Sequence, residues 1–163
     1  MIHGISHTNI RVRDIDKCLP FYVDVLNLKI SLDDGKQAIS GGDFHGRRAV
    51  YLRWDLGRGQ SFVVLQSFPE VGPNGVFEPI GYDAKLTAMG LNHFGFWVDN
   101  LDEFVLRATR AGVHFVREAP VTCFARHYGY ADTSDEPCVR TVQLADPENN
   151  VIQLDQWIKP RPY

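Results

Sequence analysis

Ile5-Ser6-His7-Thr8-Asn9-Ile10-Arg11-Val12-Arg13-Asp14-Ile15-Asp16 lies on Leu91-Asn92-His93-Phe94-Gly95-Phe96-Trp97-Val98-Asp99-Asn100-Leu101-Asp102 without a gap, at an offset of 86 residues. The match sets His7 on His93, Ile10 on Phe96, Val12 on Val98 and Asp16 on Asp102. Further along, Val64-Leu65-Gln66 resembles Val151-Ile152-Gln153; Gln66 follows His7 by 59 residues and Gln153 follows His93 by 60. Self-similarity at this period signals two copies of one supersecondary unit packed against each other.

Each copy reads as strand, helix and three strands. In the second, residues 91–98 alternate as a strand does. Asn100 is a suitable N-cap, with Glu103 three residues on as its capping-box partner. Leu101, Phe104, Val105 and Ala108 give a helical apolar stripe, and Gly112 suits the C′ position where φ is positive. A strand starts at 113–116, and the last two, near 140–145 and 150–157, flank the turn cluster Asp146-Pro147-Glu148-Asn149-Asn150. The first copy gives strands at 5–12, 28–32, 48–55 and 61–67 and a helix from about Asp16 to Leu26. Pro20 fits that helix only if it falls in or just after the first turn. The division is a first module at 1–68, a linker at 69–90 and a second module at 91–163, together one α+β domain over about 4–158. The stretch 118–139 carries Phe124, Arg126, His127, Tyr128 and Tyr130. It is too aromatic for a solvated tether and reads as a lid or wall over a pocket.

Composition narrows the function. The 163 residues hold 17 Lys and Arg against 20 Asp and Glu, a net charge of −3 with no basic patch for nucleic acid. No run of eighteen apolar residues predicts a membrane span. The opening residues lack the basic and apolar regions of a secretory leader, so the expected location is the cytoplasm. Cys18, Cys123 and Cys138 share no metal-type spacing and read as reduced thiols.

Strand alternation sorts the side chains by face. His7, Asn9 and Arg11 share one face of the first strand; His93, Gly95 and Trp97 share the matching face of its repeat. Phe94, Phe96 and Val98 fall on the other side, beneath the helix. Gln66 sides with Val64 and Phe62, and Gln153 with Val151, Asp155 and Trp157. Four polar groups, His7, Gln66, His93 and Gln153, are therefore expected to serve one shared site.

The segments His7–Asp14 with Phe21-Tyr22, Leu91–Val98 and Ala145-Asp146-Pro147-Glu148-Asn149-Asn150-Val151-Ile152-Gln153-Leu154 resemble the vicinal oxygen chelate superfamily, which holds glyoxalase I, bleomycin-resistance proteins and extradiol dioxygenases. The resemblance implies paired βαβββ modules forming a U-shaped mixed-sheet cup, a small-molecule substrate or ligand, and a homodimer. It implies a divalent metal (Fe, Ni, Zn or Mn) at His7, His93, Gln153 and Gln66, although some members lack the metal and only sequester a drug.

Two positions depart from the family pattern. Gln153 stands where the last strand usually supplies Glu, and a neutral carbonyl oxygen neither offsets metal charge nor serves as a base. Gln143 stands where extradiol enzymes carry Tyr. Any acid or base must then come from His127, Tyr128 or Asp155, or from His45 in the turn Gly42–Gly46. Asn9, Arg11, Trp97, Tyr51, Trp54 and Tyr130 are the candidate substrate-binding residues. Two functions follow: a metal-dependent lyase, isomerase or dioxygenase acting on a vicinal oxygen pair, or a metal-free protein sequestering an aromatic small molecule.

Overall fold

The computed structural model describes residues 5–35, 47–55, 61–67, 91–116, 120–129 and 136–159. The chain divides into two compact units, Met1–Pro79 and Ile80–Tyr163. The expected linker at 69–90 lies outside the described residues, as do His45 and Tyr130.

The first unit runs β1 (His7–Arg11), α1 (Ile15–Pro20), β2 (Lys29–Asp33), β3 (Arg48–Arg53) and β4 (Phe62–Ser67). Its sheet has the order β1-β4-β3-β2, with β1 and β4 parallel and the other pairs antiparallel. The α1 helix starts at Ile15, capped by the Asp14 side chain accepting from the Lys17 amide. Pro20 therefore sits at its end, two residues past the first turn. The chain absorbs the missing amide by widening into a π turn over Phe21–Val25, closed by Leu26 N–H donating to Phe21 C=O at 3.1 Å.

The second unit repeats the plan with β5 (Phe94–Trp97), α2 (Leu101–Arg110), β6 (His114–Phe115), β7 (Val121–Cys123), β8 (Val139–Ala145) and β9 (Val151–Trp157). The order β5-β9-β8-β6 reproduces the first sheet, with β7 pairing β8 in addition. The α2 ends are those the sequence predicts: Asn100 accepts from the Glu103 amide, and Gly112 takes φ +66°. Buried Leu101 and Ala108 on α2, with Val142, Leu144, Ile152 and Leu154 on β8 and β9, make the core of this unit. The α+β reading with βαβββ order in both halves holds. Among the described residues no helix is long and apolar enough to cross a membrane.

The described part of stretch 118–139 walls a pocket, as the sequence suggests, and is built from regular elements. Val121–Cys123 is a strand bonded to β8, and Ala125–Tyr128 forms a 3₁₀ turn seated by buried Ala125. Residues 130–135 lie outside the description.

The strand registers also correct the repeat. Val12 N–H donates to Gln66 C=O at 2.9 Å, and its counterpart Val98 N–H donates to Asp155 C=O at 2.8 Å. Arg11 is opposite Gln66, and Trp97 is opposite Asp155. The counterpart of Gln66 is therefore Asp155, and that of Gln153 is Val64. Two ion pairs keep this symmetry: Arg48 on β3 binds Asp16 of α1 at 2.8 Å, and Arg140 on β8 binds Asp102 of α2 at 2.6 and 3.0 Å. Sequence similarity misplaced the pair because the strings around Gln66 and Gln153 look alike, whereas the backbone ladder fixes the register.

Candidate functional site

In the first unit, His7 lies on the sheet face carrying Phe62, Asn9 and Gln66. Its ring stacks on Phe62 at 5.1 Å with planes 10° apart, and its Nδ1 meets Ser6 Oγ at 3.0 Å. Phe62 also meets the Tyr51 ring at 6.0 Å and carries Arg53 over its face at 4.6 Å. Asn9 Nδ2 donates to Gln66 Oε1 at 3.4 Å, a long bond. Arg11 is exposed at the end of β1, and Trp54 lies past the end of β3, 43% exposed. The first unit thus gathers His7, Asn9, Gln66 and Tyr51.

The second unit holds a cavity of about 420 Å³ lined by His93, Val121, Cys123, His127, Tyr128, Thr141, Val142, Gln143 and Gln153. Strand pairing builds its floor. Gln143 is opposite Gln153 and Thr141 is opposite Asp155 across β8 and β9. On the other side, Gly95 is opposite Gln153 and Trp97 is opposite Asp155. A Cβ at Gly95 would stand 3.3 Å from Asp155 Oδ2, so this position leaves room for the carboxylate.

One hydrogen-bonded chain organises the floor. Asp155, 6% exposed, accepts from Tyr128 Oη at 2.7 Å and from Gln153 Nε2 at 3.0 and 3.1 Å. Gln153 Oε1 in turn accepts from Gln143 Nε2 at 2.8 Å. A carboxylate only accepts, so it fixes which end of each amide points where. Burial above all, then the Asp155 hydrogen bond and charge, hold the Tyr128 phenol well above the ordinary tyrosine range, with Thr141 opposing in part. Behind Tyr128, Trp97 stacks on Trp157 at 5.0 Å, and Tyr128 meets both rings at 5.2 and 6.1 Å.

The two cavity histidines differ. His93, exposed, places Nδ1 at 2.8 Å from Asn92 Oδ1, so Nδ1 carries the proton and Nε2 the lone pair. His127 accepts from the Phe124 amide at Nδ1 over 3.4 Å, which leaves Nε2–H as a donor.

The second unit therefore brings together four expected residues, His93, His127, Tyr128 and Gln153, with Asp155 behind them. Thr141, Cys123 and Trp157 were not singled out. Trp157 was visible as an aromatic two residues beyond Asp155; Thr141 needed the β8–β9 register, and Cys123 needed a strand the sequence does not announce.

These donors suit a divalent metal poorly. The register leaves Val64, which has no donor, at the counterpart of Gln153. Gln153 Oε1 is bonded to Gln143, and Asp155 is taken up by Tyr128 and Gln153. Among the described residues no group of three His, Cys, Asp or Glu side chains is arranged to hold an ion.

The family model described as Glyoxalase/Bleomycin resistance protein/Dioxygenase superfamily matches residues 4–154. No curated protein matches the sequence significantly. Solved structures share the fold at low identity. A glyoxylase/bleomycin resistance protein/dioxygenase domain from Frankia sp. EAN1pec has TM-score 0.64 and 20% identity over 96% of this chain and 99% of that one. The fosfomycin resistance protein FosX from Listeria monocytogenes, complexed with Mn(II) and sulfate ion, has TM-score 0.56 and 18% identity over 96% and 93%. The trypanothione-dependent glyoxalase I of Leishmania major has TM-score 0.56 and 19% identity over 94% and 86%.

Proposed function

This chain belongs to the glyoxalase/bleomycin resistance protein/dioxygenase superfamily, and from that premise we propose that it binds a small molecule in the cavity of its second unit on a neutral amide floor, Gln143 and Gln153, without a carboxylate-ligated divalent ion. The observation that carries this reading is the commitment of the Gln153 amide at both ends, to Gln143 and to Asp155. To serve as a metal ligand, Gln153 would give up the Gln143 bond and bring no negative charge in return.

Such a floor suits a binding protein. Preformed cavities of about 300–1,000 Å³ with a few fixed polar groups are the usual small-molecule sites, and this one lies in that range. Gln143, Gln153 and Tyr128 orient the ligand, and Val121 and Cys123 supply apolar wall. The test is tryptophan quenching by neutral polycyclic aromatics. Saturable quenching in the wild type, weakened at least about tenfold by Gln153→Leu, is the expected result. Non-saturable quenching unchanged by the substitution overturns the reading.

A second reading, a metal-dependent lyase, isomerase or dioxygenase, is favoured by His93. Its Nδ1–H bond to Asn92 leaves Nε2 as an oriented lone pair, an arrangement common among metal ligands. The resemblance would add His7, Gln66 and Gln153 as ligands. A homodimer is proposed on family resemblance alone, and sedimentation velocity tests it.

A further inference from the structure

We infer that the second-unit cavity selects a ligand entering with a cationic, N–H-donating head, a protonated amine or amidine. The inference rests on the proposed binding role and names the chemistry of the ligand.

The argument starts at Asp155. It is a buried carboxylate, and its side-chain partners are a phenol and an amide, both neutral. Among the described residues no ion pair involves it. A buried negative charge held only by neutral donors is stabilised when a cation comes near.

Asp155 also sets what the cavity shows a ligand. Tyr128 points its O–H at Asp155, so towards the cavity its oxygen offers only lone-pair character. Gln153 has turned its Nε2 to Asp155 and keeps its carbonyl oxygen on the side of Gln143. Gln143 gives one N–H of Nε2 to that oxygen and keeps Oε1 as an acceptor beside its second N–H. His93, protonated at Nδ1 towards Asn92, offers the Nε2 lone pair. The lining thus offers lone pairs from Tyr128, Gln153, Gln143 and His93, against the His127 Nε2–H, the Cys123 thiol and the second Gln143 N–H as donors. An anion or a carbonyl-rich ligand would face lone pairs; an ammonium or amidinium would satisfy them.

The test is a set of three probes of near-equal shape, benzamidine, benzamide and benzoate, titrated calorimetrically into the full chain at neutral pH. Benzamidine should bind at least about tenfold tighter than benzoate, with benzamide between. Asp155→Asn keeps an acceptor for Tyr128 and Gln153 and should shrink that preference to about threefold or less. Benzoate binding as tightly as benzamidine, or a preference unmoved in Asp155→Asn, overturns the inference. If Asp155→Asn fails to fold, the wild-type ranking decides alone. If none of the three binds while neutral polycyclic aromatics still quench in a Gln153-dependent way, the charge inference falls and the binding role stands. If those probes fail as well, both fall.

Discussion

The Tyr128 hydroxyl donates to the Asp155 carboxylate across 2.7 Å, tying the 3₁₀ turn of the second unit to its last strand. This bond holds the wall of the cavity against its floor and, after burial as the larger cause, makes the phenol hard to ionise. Tyr128→Phe leaves the buried carboxylate short of one donor and should lower stability by about 1–3 kcal/mol at neutral pH, measured by urea unfolding. The pH dependence has a definite sign. The folded protein holds the Tyr128 proton above the usual tyrosine value of about 10, so its contribution is complete below that value. It is lost as pH rises beyond, where the unfolded chain ionises first. Wild-type stability should decline more steeply above about pH 10 than that of Tyr128→Phe; parallel curves would show that the phenol is not held in this way.

Gly95 and Gly112 should respond to alanine differently. At Gly95 the new Cβ would stand 3.3 Å from Asp155 Oδ2, so the carboxylate must shift and the Gln153 amide with it. Ligand affinity should drop with a stability loss of about 1 kcal/mol. At Gly112 nothing lies within 4 Å, but φ is +66°; the cost there is backbone strain of about 1 kcal/mol or more, with affinity unchanged. Paired titration and thermal unfolding of the two variants separates these effects.

The ion pairs Arg48–Asp16 and Arg140–Asp102 tie each helix to the third main strand of its unit. Hydrogen bonding to Arg140 holds the Asp102 carboxyl below its usual range, and Arg48 does the same for Asp33. A depressed carboxyl stabilises the fold above its unfolded value and loses that contribution as pH falls through the folded one. Arg140→Gln should therefore lower neutral stability slightly, because the pair is exposed, and flatten the acid limb of the stability curve below about pH 4 by the same small amount. Acid titration followed by circular dichroism reads this out; an unchanged acid limb would contradict it.

Gln153→Glu restores the carboxylate that the family pattern carries at this position. In this floor it would set a second negative charge beside Asp155 and remove the Nε2 donor that Asp155 now accepts. Near neutral pH the variant should be destabilised by about 1–3 kcal/mol, and manganese(II) should recover part of the loss. Thermal unfolding with and without the ion checks this. A variant as stable as the wild type without metal would mean that the Gln153 amide is not integral to the floor.

The fold was readable because its signals are local and repeated. The Asn100 cap, Gly112 and the turn at 146–150 each act over a few residues, and the structure places them as expected. Alternation along β5 and β9 put Gln153, Asp155 and Trp157 on one face without knowledge of the pairing. What escaped reading depends on contacts between strands. The equivalence of Gln66 with Asp155 is set by backbone register, and two short apolar strings ending in Gln hid it. The strand Val121–Cys123 has too few residues to show a period and exists because β8 offers it an edge. Pro20 was read as a constraint on where α1 begins, whereas the chain met that constraint by widening into a π turn.

The most direct measurement is ligand binding by the wild-type protein before and after exhaustive EDTA treatment, with bound metal determined on the same samples. The neutral Gln143–Gln153 floor predicts well under one equivalent of divalent metal on the protein purified without chelators, and aromatic-ligand affinity unchanged by the treatment. One tightly held equivalent, lost with EDTA or with His93→Ala and taking ligand binding with it, would contradict the metal-free binding role and leave the metal-dependent enzyme in its place.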